Sequence, residues 1–139
     1  MATKFINCTN HPSTSWSQAQ IDAAHDLGDE IIDIDFPNVP PTATYEEVED
    51  LVKELRKKIF EAAGEDEAVV LLQGETTVLS ILAETSGYNR SYDLNVNYVA
   101  GRHLQCVTAC SERRCCENPD GTRTYKFEFV QFRKSFELY

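Results

Sequence analysis

The loop between Asn10 and Ser17 carries the side chains best suited to chemistry. It supplies an imidazole at His11, an indole at Trp16, and polar groups at Asn10, Ser13 and Ser15. Histidine exchanges protons near neutral pH, and an indole can stack on a nucleobase. A helix is predicted after Ser17, so the loop also offers free N–H groups to an anion. The alternative interpretation is a helix-entry loop in which Trp16 packs against the helix and His11 is merely exposed.

A second polar segment reads Gln73-Gly74-Glu75-Thr76-Thr77. It follows an apolar run, and glycine at position 74 permits a close backbone approach. The segment lacks the glycine and lysine pattern of a Walker loop and that of the dinucleotide fingerprint. It can bind a ligand, or Glu75 can simply stabilise the positive end of the helix that follows.

A third segment, Ser111-Glu112-Arg113-Arg114, places two guanidinium groups just after a predicted strand. Guanidinium groups bind phosphate oxygens with two hydrogen bonds at once. The alternative is that both arginines form surface ion pairs with neighbouring carboxylates, which contribute little to stability.

Alternating strands and helices are predicted to position these segments. Apolar runs predict strands over residues 4–10, 30–36, 68–72 and 104–110, and an alternating pattern over 123–136 predicts a further strand. Helices are predicted after Ser17 and Thr44, each with a capping residue, and after Thr77. The segment Asn118-Pro119-Asp120-Gly121 predicts a turn. The carboxylates of residues 30–36 are expected on a solvated face.

The order β-α-β-α-β-α-β-β predicts one α/β domain over residues 1–139, with helices flanking a mostly parallel sheet and an antiparallel hairpin at the carboxyl terminus. Residues 87–103 fit no pattern and are interpreted as an insertion. Ligands of such sheets bind beyond the carboxyl ends of the strands. All three polar segments follow predicted strands, so we expect them to meet at one edge.

Composition narrows the possible partners. The chain has 139 residues and a formal charge of −10, which disfavours duplex nucleic acid and acidic membrane surfaces. No apolar run is long enough to span a membrane, and no signal peptide is evident. The odd number of cysteines, five, favours reduced thiols and a cytoplasmic location.

Four of the cysteines cluster near the carboxyl terminus with the spacing C-x3-C-x4-C-C. Zinc sites use two separated pairs of ligands, so this spacing predicts no metal site, and we expect no cofactor. A redox module formed by Cys115 and Cys116 is a remote alternative.

Several motifs together resemble a family of small CRISPR-associated proteins that are encoded beside type III CRISPR systems. These motifs are NHPSxxWSxxQ at residues 10–20, FPNVPP at 36–41, QGExT at 73–77, SER at 111–113 and FEFVQFR at 127–133. The similarity covers nearly the whole chain apart from residues 87–103. It implies a single Rossmann-like domain of the CARF type, which pairs as a homodimer and binds a cyclic oligoadenylate second messenger.

Stand-alone members of that family are associated with ring-nuclease activity, which linearises the messenger and switches off the immune response. The resemblance therefore implies a phosphodiesterase, with cyclic tetra-adenylate as the expected ligand. Because the ribose 2′-hydroxyl can attack the neighbouring phosphorus without a metal, we expect a metal-independent reaction. From the chemistry of their side chains, and not from the family, His11, Arg113 and Glu75 are the candidate catalytic residues. The candidate ligand-binding residues are Asn10, Ser13, Ser15, Trp16, Gln73, Gly74, Thr76, Thr77, Ser111, Glu112 and Arg114.

Two other functions stay open at this point. One is a non-catalytic protein that binds the messenger as a sponge or sensor. The other is a Rossmann-like interaction module without nucleotide chemistry. Turnover separates an enzyme from a sponge, because a sponge protects a fixed number of rings per dimer.

Overall fold

The chain folds into one α/β domain built on a five-stranded sheet. The computed structural model describes residues 3–84 and 103–139. Its elements are β1 (Thr3–Thr9), α1 (Gln18–Leu27), β2 (Glu30–Asp35), α2 (Tyr45–Ala63), β3 (Glu67–Leu72), α3 (Thr76–Glu84), β4 (Leu104–Glu117) and β5 (Arg123–Leu138), with a short 3₁₀ turn at Ser13–Ser15. The predicted order of strands and helices is confirmed.

The strand order in the sheet is β2-β1-β3-β4-β5. Strand β1 runs parallel to β2 and β3, and β3 runs parallel to β4. Only β5 is antiparallel, to β4. The predicted fold class, a mostly parallel sheet with a carboxyl-terminal antiparallel hairpin, is therefore confirmed.

Helices α1 and α2 begin at the predicted capping residues. The Ser17 hydroxyl accepts a hydrogen bond from the backbone N–H of Gln20 at 3.3 Å. The Thr44 hydroxyl accepts one from the backbone N–H of Glu47 at 3.2 Å. Each bond satisfies a donor that the first helical turn leaves without a partner inside the helix.

The sheet separates two apolar layers. On one side α2 and α3 pack on the sheet, and residues such as Val52, Ile59 and Leu82 are fully buried there. On the other side Phe5, Leu71 and Val107 meet Ala24 of α1. Coverage of both faces explains why β3 reads as a continuous apolar run.

The last two strands extend well beyond the rest of the sheet. Strand β4 was expected to end at Cys110, and this prediction is wrong because β4 continues to Glu117. Only Gln105–Val107 pair with β3, whereas the rest of β4 pairs with β5 alone, as in Ser111 with Phe129 and Cys115 with Tyr125. We call residues 111–129 the ribbon. Pairing with β5 keeps residues 111–117 of β4 extended, although their polar sequence is typical of a loop.

The turn predicted at residues 118–121 closes the ribbon. The Gly121 N–H donates to the Asn118 carbonyl at 3.0 Å, and Gly121 has a φ of +87° that favours glycine. The proposed insertion at residues 87–103 lies outside the described residues, apart from His103. None of the helices within the described ranges is long and apolar enough to cross a membrane.

Candidate functional site

A cavity of about 670 Å³ lies at the carboxyl edge of the sheet, on the side covered by α1. Its size falls in the range of small-molecule sites, roughly 300–1,000 Å³. We call it the carboxyl-edge cavity. It is lined by Thr9, His11, Ser15, Trp16 and Ser17 from β1 and the loop after it, Ala19 and Gln20 from α1, Leu71 and Gln73 from the end of β3, Ala109 and Ser111 from β4, and Phe127, Glu128 and Phe129 from β5.

The backbone of His11 is fixed by three side chains. Its carbonyl accepts hydrogen bonds from Asn7 Nδ2 at 2.8 Å, Thr9 Oγ1 at 3.1 Å and Trp16 Nε1 at 3.2 Å. Its N–H donates to Thr9 Oγ1 at 3.1 Å. Asn7 is 1% exposed, so the anchor of the loop is part of the core. The loop is thus held rigidly, while the His11 side chain lies at the exposed rim of the cavity.

Asp33 of β2 ties the same loop to the sheet. Its carboxylate accepts hydrogen bonds from Asn7 Nδ2 at 3.0 Å and from the Ser13 hydroxyl at 2.9 Å. The Ser13 side chain is therefore engaged with Asp33. Asp33 lies on the exposed face expected from the sequence, but its carboxylate also has a structural role there. Asn10 borders a smaller neighbouring cavity of about 260 Å³, which Asp33 also lines.

Trp16 is held inside an aromatic cluster. Its ring packs edge-on against Phe5, with centroids 6.1 Å apart, and lies 6.3 Å from the ring of Phe132. Phe132 in turn contacts Phe129 at 4.8 Å. Trp16 therefore packs as a hydrophobic anchor for the loop and also forms part of the cavity wall.

Gln73 uses its side-chain amide to extend the sheet. Gln73 Nε2 donates to the Ala109 carbonyl at 3.4 Å, and the Ala109 N–H donates to Gln73 Oε1 at 3.3 Å. These two hydrogen bonds replace one pair of backbone hydrogen bonds between β3 and β4, just beyond the end of β3. The side chain of Gln73 thus links the two strands at the floor of the cavity.

The residues after Gln73 turn to the opposite side of the sheet. A Cβ added at Gly74 would lie 2.5 Å from the Phe36 ring, so glycine is required there for packing. Glu75 and Thr77 line a different cavity, of about 470 Å³, beside the start of α2. Thr76 is the exposed first residue of α3. This part of the second segment is therefore separate from the carboxyl-edge cavity.

Glu75 caps helix α3. Its carboxylate accepts a hydrogen bond from the Val78 N–H at 2.9 Å. This bond lowers the pKa of Glu75 below its usual value. The lowered pKa makes this carboxylate a weaker base, and one of its oxygens is already bonded to the Val78 N–H.

The ribbon separates the two arginines of the third segment. Paired residues of adjacent strands point to the same face, and side chains alternate along each strand. Ser111 and Arg113 share the face of Phe129 and Phe127, which is the face of the cavity. Arg113 stacks on the Tyr125 ring, with its Cζ atom 3.9 Å from the centroid.

Arg114 and Glu112 lie on the other face of the ribbon. Arg114 forms ion pairs with Glu112 at 3.5 Å and with Glu128 at 3.0 Å. The alternative interpretation of a surface ion pair therefore applies to Arg114, whereas Arg113 is directed to the same side as the cavity.

Three titratable side chains are buried away from the cavity. Burial raises the pKa of the Cys8 and Cys106 thiols to about 12 each. Burial also lowers the pKa of Arg56 to about 10, and its Cζ atom lies 4.7 Å from the centroid of the Phe60 ring. Neither terminal nitrogen of Arg56 has a hydrogen-bond partner in the part of the chain that the structure describes.

Sequence reasoning missed the residues that hold the loop and those that complete the cavity wall. Asn7 lies in an apolar strand, where a buried amide signals a required hydrogen bond. Phe127 and Phe129 belong to an alternating pattern that indicated a strand, but the pattern did not show that the strand borders the carboxyl-edge cavity. Their place became clear only from the pairing of β5 with β4.

Comparison with known proteins gives one match. Residues 3–133 match the family described as the uncharacterized protein MJ1673 family. Neither the search of curated proteins nor the search of solved structures finds a match. Because the match spans nearly the whole chain, the chain belongs to the MJ1673 family.

Proposed function

We propose that the chain binds a cyclic oligoadenylate, with cyclic tetra-adenylate as the preferred ring, in the carboxyl-edge cavity and linearises it. The observation that carries the proposal is the grouping of His11, Trp16 and Ser111 around one cavity. This cavity lies where open α/β sheets bind their ligands. The link to type III CRISPR signalling and to a cytoplasmic location rests on the motif resemblance.

The proposed reaction uses a nucleophile within the ligand itself. The ribose 2′-oxygen attacks the neighbouring phosphorus and loses its proton, and the bond from phosphorus to the 5′-oxygen breaks. The 5′-oxygen takes up a proton, which leaves a 2′,3′-cyclic phosphate at one end and a 5′-hydroxyl at the other. The protein aligns the hydroxyl and stabilises the charge of the transition state. No redox partner is needed.

His11 is the proposed general acid or base. It lines the cavity, and its side chain is exposed while its backbone is fixed. Arg113 is proposed to stabilise phosphate charge, because it lies two residues beyond Ser111 on the same face of the ribbon. Glu75 takes no part in this scheme, since it caps α3 beside another cavity.

One observation favours a second candidate, binding of the ring without cleavage. Among the described residues that line the cavity, none is Lys or Arg. The Glu128 carboxylate is paired with Arg114, and Arg114 does not line the cavity. His11 is therefore the lining side chain that could act on a phosphate. A single copy of the chain therefore offers a cavity that suits adenine better than phosphate.

Product analysis separates these candidates. The purified chain is incubated with labelled rings of three, four and six adenosines in the presence of EDTA, and the products are resolved by chromatography. We expect linear product in molar excess over protein. Rings protected in a fixed ratio to protein would support the sponge.

Thermal unfolding tests whether any ring binds. A ligand present at 100 times its dissociation constant stabilises the folded state by about 2.7 kcal/mol, which raises Tm measurably. An unchanged Tm with all three rings contradicts both the enzyme and the sponge. It would favour an interaction module without nucleotide chemistry.

A further inference from the structure

Most polar side chains that line the carboxyl-edge cavity are already bonded to other parts of the protein. Those that hold a hydrogen bond or an ion pair are Thr9, Ser15, Trp16, Ser17, Gln73 and Glu128. Within residues 3–84 and 103–139, the lining side chains left without such a partner are the His11 imidazole, the Ser111 hydroxyl and the Gln20 amide. These three side chains are therefore free to pair with a bound molecule.

Helix α1 directs Gln20 toward the cavity. Gln20 lies one helical turn before Ala24, which packs against Phe5 and Leu71 of the sheet. Residues four apart share a face of a helix, and helical side chains tilt toward the amino terminus. The amino terminus of α1 lies at the carboxyl edge of the sheet, because the loop that leaves β1 leads into it. Gln20 is thus placed where its side chain can meet a ligand.

The Gln20 amide is not used to cap α1. A glutamine at this position often bonds back to the capping residue, as in a capping box. Here the Ser17 hydroxyl accepts the Gln20 N–H at 3.3 Å, and the described residues include no bond in return from the Gln20 side chain. At the equivalent position of α2, the Glu47 carboxylate does bond to the Thr44 hydroxyl, at 3.2 Å. The start of α1 therefore does not require the Gln20 side chain.

An amide differs from an imidazole and a hydroxyl because it holds a donor and an acceptor side by side in one plane. The edge of adenine that carries N6 and N7 presents a donor beside an acceptor, and glutamine pairs with both atoms at once. Guanine presents two acceptors, O6 and N7, at the same edge. The amide of Gln20 therefore matches adenine at this edge and does not match guanine.

The aromatic side chains of the cavity supply a surface for the face of a base. Phe127 and Phe129 line the same cavity as Gln20, and Phe127 is 75% exposed. Stacking on such a ring contributes to binding, but every base has a face that can stack. The choice of base is therefore made by the polar group that meets the edge of the base.

We propose that Gln20 recognises adenine in the bound ligand, with its Nε2 donating to N7 and its Oε1 accepting from the N6 amine. This inference rests on the proposed function, because it names the atoms by which the cavity recognises a cyclic oligoadenylate. Gln20 is a specificity-determining residue in this arrangement, whereas His11 acts at the ribose and phosphate.

A paired change in the protein and the ligand tests this contact. The ligands are cyclic tetra-adenylate and the same ring built from 7-deaza-adenosine, which has a carbon in place of N7. Isothermal titration calorimetry measures the Kd of each ring. For the full chain, we expect the 7-deaza ring to bind roughly three- to tenfold more weakly, because Nε2 of Gln20 loses its acceptor. For Gln20→Ala, we expect both rings to bind equally, with each Kd raised about tenfold above that of the full chain for the unmodified ring.

Gln18→Ala is the matched control. Gln18 lies in the same helical turn, but its Nε2 donates to Asp22 at 2.8 Å and it is not among the described residues that line the cavity. We expect this variant to distinguish the two rings as the full chain does. Alanine is a strong helix former, so both variants are expected to fold, and circular dichroism checks this.

The linear dinucleotide ApA and its 7-deaza form distinguish a failure of this inference from a failure of the proposed function. Equal affinity of the full chain for the two rings, or a 7-deaza effect that persists in Gln20→Ala, overturns the role of Gln20 and leaves ring binding standing. A chain that binds no ring but binds ApA with a 7-deaza effect that Gln20→Ala abolishes supports Gln20 and contradicts the proposed function. Binding of neither the rings nor ApA overturns both.

Discussion

His11 is held in position by hydrogen bonds to its backbone groups, not to its imidazole. The buried Asn7 and the hydroxyl of Thr9 hold its carbonyl and N–H groups, so the residue cannot drift from the rim of the cavity. The imidazole remains exposed at the rim, where a ligand can reach it. Such an arrangement meets the geometric need of a general acid or base, which has to stay within reach of one oxygen atom.

Replacing His11 with alanine separates catalysis from binding. We expect His11→Ala to lower the rate of ring opening by roughly 100- to 10,000-fold, with a smaller loss of affinity. His25→Ala is the control, because His25 is an exposed histidine at the end of α1. Single-turnover rates and equilibrium binding measure the two effects. Equal rates for His11→Ala and the full chain would remove His11 from the mechanism.

Arg56 has an unusual environment for a charged side chain. It is 2% exposed, and its terminal nitrogens have no hydrogen-bond partner within residues 3–84 and 103–139. Its guanidinium group lies over the face of the Phe60 ring. A buried guanidinium without hydrogen-bond acceptors costs more than a single such contact returns.

We therefore expect Arg56→Met to stabilise the fold. Methionine fills similar volume and keeps a contact with Phe60, while the uncompensated charge is removed. The expected gain is about 1–2 kcal/mol, seen as a rise of a few degrees in Tm. Lys57→Met, at the exposed neighbouring position, is expected to change stability by less than about 0.5 kcal/mol. A lower Tm for Arg56→Met would contradict this account.

Helix α3 depends at its start on an ionised side chain. Glu75 accepts the Val78 N–H, and its lowered pKa means that the folded state favours the carboxylate. The resulting stabilisation is fully present above the ordinary glutamate pKa, about 4.3, and is lost as pH falls through the lower pKa of the folded state.

This dependence can be tested by titrating stability. Glu75→Ala is expected to lower the free energy of unfolding by about 1 kcal/mol at neutral pH, since a helix cap is lost. The difference from the full chain narrows as the solution is acidified below pH ~4. Glu54→Ala, in the middle of α2, is the control at an exposed glutamate. Urea unfolding at several pH values gives the comparison, and a constant difference would contradict the cap.

The charge of the whole molecule predicts opposite responses to salt for ring binding and for the homodimer that the motif resemblance implies. A net charge of −10 makes two copies repel, and salt screens that repulsion. Contacts with phosphates weaken as salt rises, because counterions compete for the same groups.

Raising NaCl from about 50 mM to about 500 mM is therefore expected to tighten the dimer and to weaken ring binding. Sedimentation equilibrium measures the first effect, and fluorescence anisotropy with a labelled ring measures the second. A dimer that dissociates at high salt would indicate an interface made of ion pairs. That result would contradict the expected tightening of the dimer by salt.

The sequence by itself determined the order of elements and the class of fold. The apolar runs and the caps at Ser17 and Thr44 are local signals, because each depends on residues a few positions apart. The sequence also predicted that His11, Gln73 and Ser111 lie close together. Each follows a predicted strand, and parallel strands end at the same edge of a sheet.

Only the tertiary structure decided which polar side chains face the cavity. Gln73 pairs with the backbone of Ala109, Glu75 caps α3 on the other side of the sheet, and Arg113 and Arg114 point to opposite faces of the ribbon. These outcomes depend on pairing between distant strands. The continuation of β4 past Cys110 was hidden for the same reason, because its partner lies in β5 and a polar sequence alone does not reveal that pairing.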